Sequence, residues 1–205
     1  MRILGLLVVL CFAYVSDAFA ACAPTRMLRI VTTVDAFGLP ADHFVTQPKT
    51  LYRYGSMFGR VEEVFNKQTG LHLLVVVSEP DVWVVNRVNS SGQHMTDRGT
   101  NIDFHAPIIT ATKSEHWRGL EFGCEEDFMK SVNAKTEPAD GGMIRYSHEA
   151  EGIKASLVVN PKQRPERLEI ESAEARFIVK YTSYEDSDFQ ADLFTKPQGI
   201  RFSER

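Results

Sequence analysis

His94, Asp97, Asp103 and His105 form the best candidate cluster of metal-compatible side chains in this 205-residue sequence. Imidazole and carboxylate together suit zinc and similar ions, and on neighbouring strands His94, Asp97 and His105 could converge on a metal to assist a reaction. No two of the histidines sit at helical ligand spacing, however, and Gly99 and Pro107 interrupt the segment. A polar loop at the end of a sheet yields the same residues, so the expectation is no metal and no cofactor. A metal-assisted enzyme is kept as the third reading.

The carboxylates are no more specific. Glu62-Glu63 and Glu125-Glu126-Asp127 are runs of adjacent acids, the usual mark of a solvated face. Cys124 as a nucleophile would need a base beside it. His116 lies two turns upstream on the same expected helix, about 12 Å along its axis, which does not make a dyad. There is no G-x-S-x-G elbow, H-E-x-x-H, C-x-x-C, P-loop or G-x-G-x-x-G. The sequence therefore points to no catalytic residue, and binding is favoured over catalysis.

Any such residues must be positioned by strands. In "MLRIVTTVDAF", Leu28, Ile30, Thr32 and Val34 alternate with Arg29 and Thr33, the period that puts one set on a core face. "TLYRYG" and "GRVEEVF" read as further short strands, and "NKQTG" as a turn. Leu71 to Val77 and Val82 to Val88 read as strands joined at "SEPD", where Pro80 suits a corner. Trp83 between them is either a core anchor or the wall of a cavity. Asn89-Ser90-Ser91-Gly92 turns the chain into a strand beginning at Gln93. The density of valine implies an antiparallel meander with both faces partly covered.

Thr112 and Glu115 have capping-box spacing, and Trp117, Leu120, Cys124, Phe128 and Val132 recur every three or four residues. A helical segment over 113–134 lying on the sheet is expected, with Gly119 and Gly123 weakening it and a break near Gly123 dividing it in two. "EPADGG" ends it. Ile153 to Val159, Leu168 to Ile170 and Phe177 to Tyr181 alternate again as strands. "DSDFQADLF" reads as one or two helical turns stopped by Pro197. The fold class is mainly β with helices (α+β): a curved antiparallel sheet or incomplete β-barrel, covered by one inserted helical segment and a short C-terminal helix.

The N-terminus carries an address. Residues 1–20 show a basic start, an apolar run from Ile3 to Val15 and the small-x-small tripeptide Ala18-Phe19-Ala20, the order of a secretory signal peptide. The run is too short to span a bilayer as a helix. Cleavage after Ala20 leaves one domain over 21–205, an exported protein of the periplasm or extracellular space with no transmembrane segment. Phe19-Ala20-Ala21-Cys22 also approximates a lipidation box, which Asp17 and Phe19 argue against. Cys22 and Cys124 then form an even pair in an oxidising compartment, either bridged or with Cys124 free and buried. With 43% apolar and 24% charged residues the chain can pack a core. A net charge of -4 and the lack of a basic, aromatic-laced stripe exclude nucleic acid as an expected partner.

Two stretches carry a family resemblance. The C-terminal "LEIESAEARFIVKYTSYEDSDFQADLFTKPQGIRF" is similar to the end of LolA/RseB-like periplasmic lipoprotein carriers, and "YRYGSMFGRVEE", "VSEPDVWVVNRVNSSGQH" and "HAPII" look like the central meander of exported bacterial proteins related to them. The resemblance implies an incomplete antiparallel barrel whose apolar concavity is covered by helices, and a role in carrying or sensing lipids or acylated lipoproteins. It departs from the carriers at the N-terminus, where Met27 to Phe37 reads as a strand in place of a long helix, and no arginine here is matched to the basic residue of their cavity. On this reading Leu73, Val75, Trp83, Val85, Leu157, Val159, Phe177 and Val179 line a hydrophobic-ligand site. The alternative is a non-enzymatic envelope interaction or assembly factor acting through an edge strand or the helical cover, with an envelope protein as partner.

Overall fold

A computed structural model describes residues 23–40, 43, 46–96, 114 and 116–204. The strands are β1 (Met27–Ala36), β2 (Lys49–Tyr54), β3 (Phe58–Glu63), β4 (Leu73–Ser78), β5 (Asp81–Asn86), β6 (Ser91–Thr96), β7 (Lys135–Ala139), β8 (Met143–Ala150), β9 (Ile153–Val159), β10 (Pro165–Glu171), β11 (Arg176–Ser187) and β12 (Arg201–Glu204). One α-helix, α1 (Glu125–Ser131), and short 3₁₀ turns complete the described residues. The strands form one curved, unclosed sheet in the order β12-β6-β5-β4-β3-β2-β1-β11-β10-β9-β8-β7. All neighbours are antiparallel except β12, which runs parallel to β6.

The two meanders join where β1 pairs with β11, and the register slips there between Val31 and Thr32. An extra residue on one strand bends and twists the ladder, a local source of the sheet's curvature. Residues paired directly across antiparallel strands share a face, so the faces can be followed through the ladder. One face runs Tyr146, Leu157, Leu168, Val179, Val34 and then Ile30, Leu51, Val61, Val75 and Val84. Trp117, Leu120, Phe122, Phe128 and Met129 of the inserted segment pack on the first part of this row and make the main core. A second, smaller core of Leu74, Val76, Trp83 and Val85 lies on the opposite face, under Ile200 and Phe202.

Three sequence expectations need correction. The inserted helix is only α1; residues 116–124 are turns and bridges, and the proposed Thr112–Glu115 cap falls outside the described residues. Gly123 has φ +98, a conformation no helix accommodates, so the chain turns there while Trp117, Leu120 and Phe122 still reach the core. The "EPADGG" stretch does not simply end a helix: its first residues belong to edge strand β7, with Pro138 where no inner strand would tolerate it. "DSDFQADLF" supplies the end of β11 and one 3₁₀ turn, Ala191–Phe194, and the chain then adds the unforeseen β12.

Candidate functional site

After β11 the C-terminal segment crosses the sheet as a strap before joining its edge. Its 3₁₀ turn lies over β3 and β4. Aromatic rings fasten it, with Phe194 5.5 Å from Phe58 and Phe189 4.6 Å from Tyr54. The Arg60 guanidinium donates from Nη1 to the Leu193 carbonyl at 3.1 Å. At the far end Phe202 lies over Gly92, where a Cβ would meet the Val84 carbonyl oxygen at 2.7 Å and the Phe202 ring at 2.9 Å. Only glycine admits this close approach.

Between strap and sheet is a cleft of about 420 Å³. Leu74, Val85 and Ile200 give it an apolar floor, and Arg60, Arg87 and Lys196 stand around it. Asp192 is the carboxylate on the strap side, and Glu62 receives both Arg60 (3.0 Å) and Arg87. Three cations thus face two carboxylates. Two buried donors on this face have no hydrogen-bond partner among the described residues, Arg60 Nε and Trp83 Nε1. A buried N–H without an acceptor costs on the order of 1–3 kcal/mol, so an acceptor supplied from outside the chain is favoured here. Volume, apolar floor and a few convergent polar groups match a small-molecule site.

A second polar centre lies inside the main core. Glu125 at the start of α1 is 1% exposed. Its Oε1 accepts from the Tyr181 hydroxyl at 2.8 Å and its Oε2 from the Gly123 N–H at 2.9 Å. Burial pushes its pKa up to about 7, against the pull of these hydrogen bonds and of the Arg53 charge. Burial also raises Tyr181 well above the ordinary tyrosine range, with Glu125 adding to it. Beside it Arg53, buried on β2, holds the Glu121 carboxylate at 2.7 Å and the Phe122 carbonyl at 3.2 Å. These bonds pin the inserted segment to the sheet. Reading Glu125-Glu126-Asp127 as a solvated face was therefore wrong for Glu125: the turn at Gly123 directs it inward, whereas exposed Asp127 fits that reading.

The inserted segment is also held at its start. His116 and His148 of β8 stack at 5.0 Å with their Nε2 atoms 2.7 Å apart, and the Trp117 indole donates to the Ala150 carbonyl at 3.2 Å. Burial, then the nearby His116, lowers the His148 pKa. Cys124 is disulfide-bonded; Cys22 lies outside the described residues.

The eight expected wall residues do not form one wall. Leu157, Val159 and Val179 are fully buried in the main core, with Phe177 packed partly against them. Leu73 and Val75 sit on the same face in β4 but are only half-buried. Trp83 and Val85 point to the opposite face, and of the eight only Val85 lines the strap cleft. His94 is engaged by the Asp81 carboxylate at 2.7 Å and stacks on Trp83, while Asp97, Asp103 and His105 lie outside the described residues. No group of three metal-ligating side chains occurs among the described residues. Arg60, Arg87 and Lys196 escaped the sequence reading because three separate segments bring them together at no fixed spacing.

No family model and no curated protein matches the chain. Its fold is similar to that of an uncharacterized conserved protein from Thermus thermophilus, with a TM-score of 0.51 and 10% identity over 88% of this chain and 91% of that one. PNGF-II aligns with a TM-score of 0.40 and 8% identity over 88% of this chain but only 32% of its own, so the chain spans about a third of that protein. A LolA superfamily protein, NE2245 from Nitrosomonas europaea, aligns with a TM-score of 0.39 and 9% identity over 83% of this chain and 90% of that one.

Proposed function

We propose that the chain is an exported binding protein for an amphiphilic ligand, an apolar chain with an anionic head, held in the cleft beneath the C-terminal strap. The observation that carries this is the pairing of an apolar floor with three cations, one of which, Arg60, has a buried Nε–H without a partner among the described residues. The apolar portion lies on Leu74, Val85 and Ile200, and each methylene buried there contributes about 0.8 kcal/mol. The head accepts hydrogen bonds from Arg60 and Lys196. This keeps the lipid class suggested by the LolA-like resemblance but moves the site to the other face of the sheet, since Leu157, Val159 and Val179 are occupied by the inserted segment.

Export rests on residues 1–20 as a cleaved signal peptide, and the disulfide at Cys124 supports an oxidising compartment. Among the described residues no helix is long and apolar enough to cross a membrane. Recognition of an envelope protein by strand addition is less well supported: edge strand β7 carries Lys135, Glu137 and Pro138, devices that discourage pairing. The metal-assisted alternative has His94 already engaged by Asp81.

Native mass spectrometry of gently purified protein, followed by delipidation and titration with palmitate, tests the proposal. Bound amphiphile and palmitate rebinding are expected. Lys196→Glu, a change at an exposed position, should weaken rebinding by about tenfold and lower stability by no more than about 1 kcal/mol through its lost contact with the Phe202 ring. A clean apo mass in repeated preparations together with no palmitate binding would overturn it.

A further inference from the structure

On the second meander, the face of the sheet turned away from the main core holds a trough of about 460 Å³ across β7, β8, β9 and β10. It continues into a smaller volume of about 150 Å³ that shares Arg145, Ser156 and Glu169 with it. The ladder explains how a sheet face becomes hollow. Lys135, Ser147, Ser156 and Glu169 are direct neighbours across the four strands. The two short serines make the floor, and longer charged side chains on every side make the walls. Strand centres favour β-branched and aromatic residues, so paired serines there serve the fold poorly.

The charges in the trough are unevenly engaged. Glu137 holds Lys135, and Glu169 holds both Arg167 and Arg176. Arg145, Lys154 and Glu171 make no hydrogen bond or ion pair among the described residues, and neither serine side chain is bonded. The row next to the serine floor reads Arg145, Val158, Arg167, an apolar patch between two guanidinium groups.

We infer that this trough is a second binding site, independent of the strap cleft, and that its ligand is a carboxylated sugar unit. A guanidinium fork matches a carboxylate in two parallel hydrogen bonds. Ser147, Ser156 and Glu171 suit ring hydroxyls, which both donate and accept. Val158 meets the apolar face of the ring. A bare anion would leave the serines and Glu171 unused, and a neutral sugar would leave Arg145 unmatched.

Titration calorimetry of the full chain with D-glucuronate, D-glucose, tetragalacturonate and inorganic phosphate tests the inference. Glucuronate should bind, with glucose and phosphate each weaker by at least about tenfold. Tighter binding of tetragalacturonate identifies a polysaccharide as the source, and equal binding a free acidic sugar; both support the site. Arg145→Ala should lower affinity by about tenfold or more. Ser156→Val fills the floor with a residue that strands favour, so it should abolish binding while thermal unfolding stays in place. Palmitate binding should be unchanged in both variants, which separates this site from the cleft. Absence of binding by both acidic sugars, phosphate binding as tightly as glucuronate, or unchanged affinity in Ser156→Val would overturn it.

Discussion

Leu157, Val159 and Val179 are sealed in the main core, whereas Leu73, Val75 and Val84, on the continuation of the same face into β4 and β5, are only half-buried. Both stretches are valine-rich strands of similar length, and their sequences do not distinguish them. What differs is the cover. The second meander lies under Trp117, Phe122, Phe128 and Met129, tied down at His116, Trp117, Cys124 and Glu125. The first meander keeps its closed core on the opposite face, under a strap that leaves a cleft and two unpaired donors. A filled core and a binding site can thus share one sheet, with aromatic side chains deciding which face is filled.

The largest expected effect is on the tie at Cys124. We propose Cys22 as its partner, because Pro24 lies beside Gly123, 3.5 Å from where a Cβ would stand. That bridge closes a loop of on the order of 100 residues, for which chain entropy gives about 4.7 kcal/mol. Cys124→Ser should lower urea stability by about that amount, and non-reducing peptide mapping should recover Cys22 linked to Cys124. A different linkage, or wild-type stability in the variant, would break the contrast between a tied and an untied half.

Next in size is the cover itself. Trp117→Ala removes a fully buried ring and leaves the Ala150 carbonyl without its donor, a loss of about 3–5 kcal/mol. Val75→Ala, at a half-buried position of the other meander, should cost about 1 kcal/mol or less. Urea denaturation of the two variants measures the difference directly. Equal losses would mean that the two halves are packed alike.

Much of this arrangement was legible beforehand. Period-two alternation marked β1, β9, β10 and β11, dense apolar runs on either side of the Pro80 corner marked β4 and β5, and the apolar spacing from Trp117 to Val132 found the cover and core-facing residues on it. Its helical form was mostly lost, because spacing reports which residues face inward and not how the backbone gets them there; Gly123 at positive φ makes a turn serve the same end. Strand β7 was hidden by Pro138 and by charges that alternate with nothing apolar. Glu125 was hidden among acids, and its burial depends on a turn two residues earlier. The cleft was the least legible, since Arg60, Leu74, Val85 and Ile200 belong to four strands or loops whose meeting is a property of the strap's path.

Titration should separate the two ties of the cover. Glu125 has a folded pKa of about 7, above its unfolded value, so it prefers its proton in the fold. Its contribution is fully present below the unfolded pKa and is lost as pH rises from about 4.5 through 7, by roughly 3 kcal/mol. His148 has the opposite sign: its folded pKa is lowered, so its contribution holds above the ordinary histidine value and is lost as pH falls through the folded one. Glu125→Gln should flatten the upper limb of the stability–pH curve, and His148→Asn the lower. Limbs unchanged in both variants would show that neither group ties the cover.

The smallest effect is the sharpest test of the comparison. Trp117 and Trp83 are both buried aromatics, and both become Phe at similar cost in apolar contact. The Trp117 N–H donates to the Ala150 carbonyl, whereas the Trp83 N–H has no partner among the described residues. Removing the donor of this part-buried hydrogen bond costs about 1 kcal/mol, but removing an unpaired donor relieves a penalty already present. Trp83→Phe should therefore be less destabilising than Trp117→Phe by about 1 kcal/mol or more in urea denaturation of the ligand-free protein. With palmitate bound the gap should stay as wide, because Trp83 is not among the residues that line the cleft. A gap that is absent would show that the Trp83 indole is already satisfied, and the small core under the strap would lose the unpaired donor that sets it apart from the sealed half of the sheet.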